Sequence, residues 1–301
     1  MSQKYPAHAV ALMQITDAEY TRGTIGTVSR FREPRRSRND TQTRRKAAAA
    51  SGDIRPVKIV YLAVTSRVLA IREGAMPVHL LLLGSASSGK TYTVKSVLSL
   101  LPPEAQHVIA AGSPRVLIYD DADLQHKVLV FGEADSLPAG EDNPAASAVR
   151  GLLQDNCLHY TATVRDPATG GFTVQEISKA GPTVLLTTAV QRLGDQLMTR
   201  LFTLELADDP QQIGAALRTQ ASLELGGVRG PEASLIAFQA YLQARAPWEV
   251  VVPFADLLAD AIARQASAPR ILRDFSRLLA LIKSAAVLRH RRRYVNGDGR
   301  L

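Results

Sequence analysis

The sequence predicts an α/β protein: a parallel sheet with flanking helices, followed by a small helical domain. Three observations carry this expectation. Short apolar runs, among them "HLLLL", "KVLVF" and "PTVLLTTA", alternate with segments of helical spacing between residues 57 and 189. Strands buried on both faces look like this, because crossover helices cover both sides of a parallel sheet. One run, beginning at His79, passes through a loop of Gly and Ser straight into a helical pattern. From Pro231 onward the spacing is helical, in "SLIAFQAYLQAR", "FADLLADAIARQ" and "RDFSRLLALIKSAAVLRHRRR". Strands alternating with helices, then helices alone, argue a sheet domain with a helical one after it.

Taken in order, the elements begin with a tail. Residues 1–52 include Arg22 to Lys46, rich in arginine and poor in apolar side chains, and then the spacer-like Ala47 to Gly52. Such a segment buries too little to offset its ordering entropy, so it is expected to stay unfolded, as a solvated tail or as an electrostatic arm on nucleic acid. Residues 53–208 are expected to form the sheet domain. Val57 to Arg72 has helical spacing. A strand is predicted over His79–Leu83 and a helix over Lys90–Leu101, stopped by Pro102 and Pro103. "HVIAAG" and "RVLIY" read as short strands, and Val128–Phe131 as a buried one. Pro144–Leu153 reads as a helix capped by Asn143, with Pro144 at its first position. "LHYTATV" and "GFTVQEIS" alternate around "RDPATGG", which predicts a hairpin over Leu158–Ser178, and Pro182–Ala189 is a further strand. Residues 209–301 are expected to be helical. Asn296-Gly297-Asp298-Gly299 is a strong hairpin turn near the last residue, so the return strand is expected to be missing and this domain truncated.

Composition sets the bounds. The chain has 301 residues, 46% of them hydrophobic, enough for a sizeable core. A net charge of +8 favours polyanionic partners. The one cysteine, Cys157, excludes an intramolecular disulfide and a cysteine-based metal site, and suits a reducing compartment. No apolar run approaches the roughly 18 residues of a membrane span. The N-terminus lacks a basic-then-apolar export signal, so a cytoplasmic protein without membrane contact is expected. The six histidines show no metal-ligand spacing. Ser113, Asp120 and His126 lack the sharp turn that surrounds a hydrolase nucleophile.

The loop after the first strand carries the chemistry. Gly84-Ser85-Ala86-Ser87-Ser88-Gly89-Lys90-Thr91 fits G-x-x-x-x-G-K-[ST] in full, the phosphate-binding P-loop or Walker A pattern. Gly84 and Gly89 let the backbone turn and approach phosphates without a Cβ. The amides from Ala86 to Lys90 can form an anion nest at a helix's positive end. Lys90 would place its charge on the β and γ phosphates, and the Thr91 hydroxyl would ligate Mg²⁺. ATP and Mg²⁺ are therefore the expected ligands.

A second stretch, "KVLVFGEADSLP", ends an apolar run with Gly132 and Glu133. Phosphate-loop ATPases usually end this strand with Asp-Glu, the Asp holding Mg²⁺ and the Glu polarising the attacking water. Here the Asp position is Gly132. Glu133 is the candidate water-activating base, and Asp135 or Glu133 itself is the candidate metal ligand.

Lys90 together with "FGEADSL" resembles AAA+ ATPases, the additional-strand branch of the P-loop proteins. The order of the downstream segments strengthens the resemblance. In the branch with minichromosome-maintenance helicases and sigma-54 activators, a β-hairpin precedes the sensor strand, and here Leu158–Ser178 precedes "PTVLLTTA". The resemblance implies a sensor role for Thr187 or Thr188, where Asn is commoner. It implies an arginine finger at Arg200 in "DQLMTRLFTLEL". It implies a second sensor at Arg273, with Arg270 next, in "PRILRDFSRLLALI". More narrowly, "SPRVLIYDDADLQHKVLVFGEAD", "GPTVLLTTA" and "TRLFTLELADDPQQ" look like bacterial ATPases linked to DNA primases, which keep the Glu while lacking the Asp. The resemblance covers about residues 57 to 301.

It implies an ATP-hydrolysing, helicase-like protein acting on single-stranded or forked DNA in replication, as a homo-oligomer, most simply a ring, with a primase as partner. Arg165 and Lys179 on the hairpin would then contact DNA phosphates. Tyr160 and Phe172 could stack on bases or pack on the domain. Two other readings stay open: an ATP-dependent regulator or loader that acts on protein partners, and a nucleotide-binding module with weak hydrolysis. A small-molecule kinase would need an arginine-rich lid and leaves the hairpin unexplained.

Overall fold

The structure, a computed structural model, describes residues 54–72, 75–110, 115–134, 137, 144–165, 170–206, 210–225, 233–264 and 270–301. The basic tail, Ser113, Asp135, the Asn143 cap and the hairpin tip at 166–169 lie outside the described residues.

Helix α1 (Arg55–Thr65) leads, by a 3₁₀ turn over Ser66–Val68, to strand β1 (Leu80–Leu83). Helix α2 (Lys90–Leu98) follows the Gly84 loop, then come β2 (Gln106–Ile109), the short α3 (Val116–Tyr119) and β3 (Lys127–Phe131). Helix α4 (Pro144–Asp155) precedes the hairpin strands β4 (Cys157–Arg165) and β5 (Phe172–Ala180), and β6 (Thr183–Ala189) returns to the sheet. The short α5 (Asp195–Met198) and β7 (Phe202–Glu205) complete it. Four helices follow: α6 (Pro210–Glu224), α7 (Ala233–Ala244), α8 (Ala255–Ala263) and α9 (Ile271–Leu288).

The strand order is β2-β3-β6-β1-β7, and every pairing is parallel. Each central strand is buried on both faces, which is why its sequence is mainly apolar, with buried threonines in β6. Alternation along the pleat sorts the side chains into two clusters. Leu80, Leu82, Val128, Val130, Val184 and Leu186 pack with α1, α2, α7 and α9 on one face. Leu81, Leu129, Phe131 and Leu185 pack with α3, α4 and the hairpin base on the other. The helices after residue 209 thus share a cluster with the sheet, through Leu235, Leu242, Ala280 and Val287.

Several expectations need correction. "RVLIY" is not a strand: Val116–Tyr119 is one helical turn that buries Leu117 and Ile118. Four apolar residues serve a buried turn as well as a strand, and periodicity cannot separate them. The helix expected over residues 57–72 ends at Thr65, and Leu69 instead forms a parallel bridge with Trp248. The α2 helix ends at Leu98, with turns carrying the chain to Leu101. Strand β7 is an addition to the expected set, since "FTLEL" is short and follows a helical turn. Past the turn at Asn296 no strand is formed, but the last residue bonds to the segment after Trp248. The Leu301 amide donates to Glu249 O at 3.1 Å, and the Val251 amide donates to Leu301 O at 2.8 Å.

Two buried polar centres tie the layers together. The wholly buried His79 lies 3.1 Å from Leu153 O through Nε2, while Nδ1 accepts the Leu185 amide at 3.2 Å. Those contacts fix the neutral tautomer with the proton on Nε2. Burial pushes its pKa down to about 3. Arg67, also fully buried, donates to Gln239 Oε1 at 3.0 Å and to Val64 O at 3.1 Å, which joins the 3₁₀ turn to α7.

Candidate functional site

Because the sheet is parallel, every strand ends on the same edge. The Gly84 loop leaves β1 there and Gly132 leaves β3 there, with β6 between them. Ligands of open α/β sheets bind beyond this edge. The Gly84 amide donates to Ala189 O at 3.3 Å, which seats the loop against the end of β6. A Cβ on Gly84 would lie 2.9 Å from the backbone oxygen of Leu206 and 2.7 Å from Ser88 Oγ, so only glycine fits. Gly89 has φ +84°, the left-handed conformation glycine tolerates best, and it starts α2.

Inside this loop the donors outnumber their partners. Among the described residues, the amides of Ala86, Ser87, Gly89, Lys90 and Thr91 have no backbone acceptor. The Ser88 hydroxyl is buried and unpartnered, and Ser87 adopts φ +67°. Lys90 is buried, and its ammonium folds back to donate to Gly84 O at 2.9 Å and Ser85 O at 2.5 Å. Thr91 is exposed on the first turn of α2. Together these make a concave set of N–H donors with a cation beside them, an arrangement suited to an oxyanion.

At the end of β3, Gly132 and Glu133 are exposed. The Thr188 hydroxyl donates to Gly132 O at 2.9 Å. Thr188 pairs with Leu82 and so shares the α2 face, while Thr187 pairs with Leu81 and points to the other side. The Thr187 hydroxyl is buried and unpartnered. Among the described residues no three His, Cys, Asp or Glu side chains gather as a metal site. Thr91 and Glu133 remain as oxygen donors, and Mg²⁺ keeps several waters and needs only one or two protein oxygens beside substrate phosphates.

The arginines expected to act on phosphate lie elsewhere. Arg200 precedes β7, whose Phe202 amide donates to His79 O at 2.8 Å, so Arg200 lies at the edge where strands begin. It donates to Gln196 O at 2.5 Å and to Gln154 Oε1 at 3.0 Å. Partial burial, then the charges of Arg273 and Arg150, hold its pKa below the ordinary guanidinium value, against the pull of Asp155. Arg273 is exposed and near Arg200 by that coupling. Arg270 pairs with Asp274 at 3.2 Å and donates to Leu201 O at 3.3 Å. The residue that fastens α9 to this edge is Arg277, which donates to Asp274 Oδ1 at 2.8 Å and Thr199 O at 2.7 Å. Neither Arg277 nor Arg150 stands out in the sequence. The spacing of Asp274 and Arg277 is the only local signal, and it marks a helix-face pair rather than a clamp.

The hairpin rises from that same edge, closed at its base by the Gly181 amide donating to Asn156 O at 2.7 Å. Its nine-residue strands pair from Cys157↔Ala180 to Arg165↔Phe172. Lys179 donates to Asp120, whose other oxygen is 2.8 Å from His107 Nε2, and only 9% of the Lys179 side chain is exposed. Lys179 therefore anchors the hairpin base to the edge strand. Tyr160 packs against the cluster and meets the exposed Tyr119 edge-on at 6.2 Å. Arg165 is exposed, and its Nε donates to Gly170 O at 3.3 Å. Beside it Phe172 and Val174 are 77% and 67% exposed. The structure thus separates the named hairpin residues into an anchored base, with Lys179 and Tyr160, and the exposed pair Arg165 and Phe172.

No helix among the described residues is long and apolar enough to cross a membrane. No protein-family model matches this chain, and no curated protein matches it either.

Proposed function

We propose that this chain is an AAA+-type ATPase that binds ATP with Mg²⁺ at the Gly84–Thr91 loop and acts on single-stranded or forked DNA as a homo-oligomer in replication, with a primase among its partners. The observation that carries the reading is the loop itself: a full phosphate-binding pattern, five amides without backbone acceptors, and a lysine folded onto the same loop. The strand order, with β6 inserted between β1 and β3, and the hairpin ahead of β6 support the additional-strand branch.

In this reading the amides of Ala86 to Thr91 and the Lys90 ammonium hold the β and γ phosphates. Thr91 and Glu133 would hold Mg²⁺, which would supply neutralising charge at the phosphate oxygens. Glu133 takes the proton of the attacking water, and Thr188 fixes the backbone at Gly132 beside it. Arg200 and Arg273 stand at the edge opposite the Gly84 loop, so they complement the nucleotide of a neighbouring copy. Arg165, at the open end of the hairpin, meets the DNA backbone. One observation favours a weaker catalyst: Gly132 supplies no carboxylate where the metal would want one. A binding module with slow turnover is the second reading.

The test is ATPase activity with and without single-stranded DNA. Lys90→Ala is expected to lose nucleotide binding, whereas Glu133→Gln keeps binding and loses about 10²–10⁴ in turnover. DNA should stimulate the wild-type rate and should do so poorly in Arg165→Ala. Unchanged turnover in the Glu133 variant removes it from the mechanism, and indifference to any DNA favours a protein-directed regulator.

A further inference from the structure

The ATPase reading gives Asp120 no task, yet the fold builds a clasp around it. Asp120 follows α3, and its carboxylate accepts from two directions. Lys179, on β5, donates to one carboxylate oxygen and, at 2.5 Å, to the Asp120 main-chain oxygen. His107, on β2, lies 2.8 Å from the other carboxylate oxygen through Nε2. A carboxylate only accepts, so that nitrogen carries a proton. All three side chains are mostly withdrawn from water. His107 pairs with Leu129, which places it on the face of α3, α4 and the hairpin base. The clasp therefore ties the hairpin to β2, the outer strand that pairs only with β3.

The hairpin is joined to the sheet through β6 as well. Strand β5 ends at Ala180 and β6 begins at Thr183. At the join, a Cβ on Gly181 would lie 2.6 Å from Asn156 O, so the two main chains are in direct contact there. Strands β2 and β6 are the two that flank β3, and each holds one group of Gly132, the residue before Glu133. The Gly132 amide donates to Ile109 O at 3.2 Å on the β2 side. Gly132 O accepts the Thr188 hydroxyl at 2.9 Å on the β6 side. Ile109 is two residues past His107, about 7 Å at the rise of a strand. The hairpin thus reaches the main chain beside Glu133 by two routes, covalently through β6 and through the Asp120 carboxylate to β2. Contiguous hydrogen bonds and paired strands of this kind carry coupling between distant sites. Without the carboxylate only the β6 route is left. A clasp that merely supported the fold would act on the basal and the DNA-stimulated rate alike.

The geometry points to Asp120 as a positioning residue that couples the hairpin to Glu133, acting through His107 and β2. This rests on the DNA-dependent ATPase activity of the proposed function. The readout is the ratio of the ATPase rate with saturating oligo(dT) to the rate without it, measured on the full chain. Asp120→Ala should lower that ratio by about 2- to 30-fold. The basal rate and the affinity for oligo(dT) should stay within about twofold. His107→Ala leaves Lys179 paired and should lower the ratio in the same way, which decides the matter if Asp120→Ala does not fold. His107→Gln should restore it, because the Gln amide donates to the same carboxylate. The double variant should lose no more than Asp120→Ala alone. An unchanged ratio in folded His107→Ala overturns the inference. So do equal losses of basal and stimulated rate, which mark support of the fold alone. A loss of oligo(dT) affinity also overturns it, since the group would then belong to the DNA contact itself. If Arg165→Ala abolishes the stimulation while the His107 and Asp120 variants keep it, the proposed function stands and this inference falls. If the wild-type chain hydrolyses ATP equally fast with and without DNA, the DNA part of that function falls and this inference with it.

Discussion

The Lys90 ammonium donates to two carbonyls of its own loop, Gly84 O and Ser85 O. A phosphate would offer it a charged acceptor in exchange, and charge-assisted hydrogen bonds contribute about 1.5–3 kcal/mol each. Loss of two such bonds in Lys90→Ala should accordingly weaken ATP binding by about 10²-fold or more, enough to abolish the signal of a calorimetric titration, with the fold intact. Gly132 gives a sharper test of the same edge. A Cβ there would meet the Ala110 backbone oxygen at 3.4 Å, an ordinary contact, and Gly132 is exposed. Gly132→Asp should fold normally and raise Mg²⁺-dependent turnover by about tenfold, since it adds a carboxylate for the metal. No gain in a folded variant would mean that the metal does not approach β3. The residues legible in the sequence are those whose chemistry is contiguous: eight neighbours from Gly84 to Thr91 carry their meaning in order. Arg277, Arg150 and the Lys179–Asp120–His107 group are illegible there, because each depends on residues far along the chain. Thr187 and Thr188 look equivalent until the pleat puts their hydroxyls on opposite faces.

Elements differ in how much local sequence decides them. Strands β1, β3 and β6 are readable because burial on both faces gives each a run of apolar residues, broken in β6 only by threonines. The β4–β5 hairpin is readable by its alternation. Val116–Tyr119 passes for a strand, and β7 passes unnoticed, because four residues hold no full period of either kind. The join between β1, α4 and β6 rests on His79, and it makes stability depend on pH. Its folded pKa, about 3, lies below the unfolded value of about 6.5. A depressed histidine contributes its full stability above the unfolded pKa and loses it as pH falls. Between about pH 6.5 and 3 the unfolded chain binds a proton that the native chain refuses, costing about 1.4 kcal/mol per pH unit. Urea unfolding of wild type and His79→Gln at several pH values should show this extra slope in wild type alone. Parallel slopes would mean that His79 titrates normally in the fold.

For the whole molecule, the two edges of the sheet set the division of labour. The candidate phosphate loop stands where strands end, while Arg200, Arg273 and the hairpin stand where they begin. A ring of copies would bring the first edge of one subunit to the arginines of the next, and an arginine supplied in trans contributes about 10³–10⁵ in rate. The helices offer surface for such contacts: Leu257 and Leu272 are 72% and 75% exposed. Mixing Lys90→Ala with Arg200→Ala, each inactive alone, should recover about a quarter of the wild-type ATPase rate, because one interface in four then joins an intact loop to an intact arginine. No recovery would place Arg200 within its own subunit's chemistry or outside it altogether. All of this depends on one event at the Gly84 loop, and direct calorimetric titration of the wild-type chain with ATP and Mg²⁺ tests it most plainly. Saturable binding that needs Mg²⁺ and disappears in Lys90→Ala is the predicted result; heats indistinguishable from dilution, with ATP or GTP alike, would contradict it.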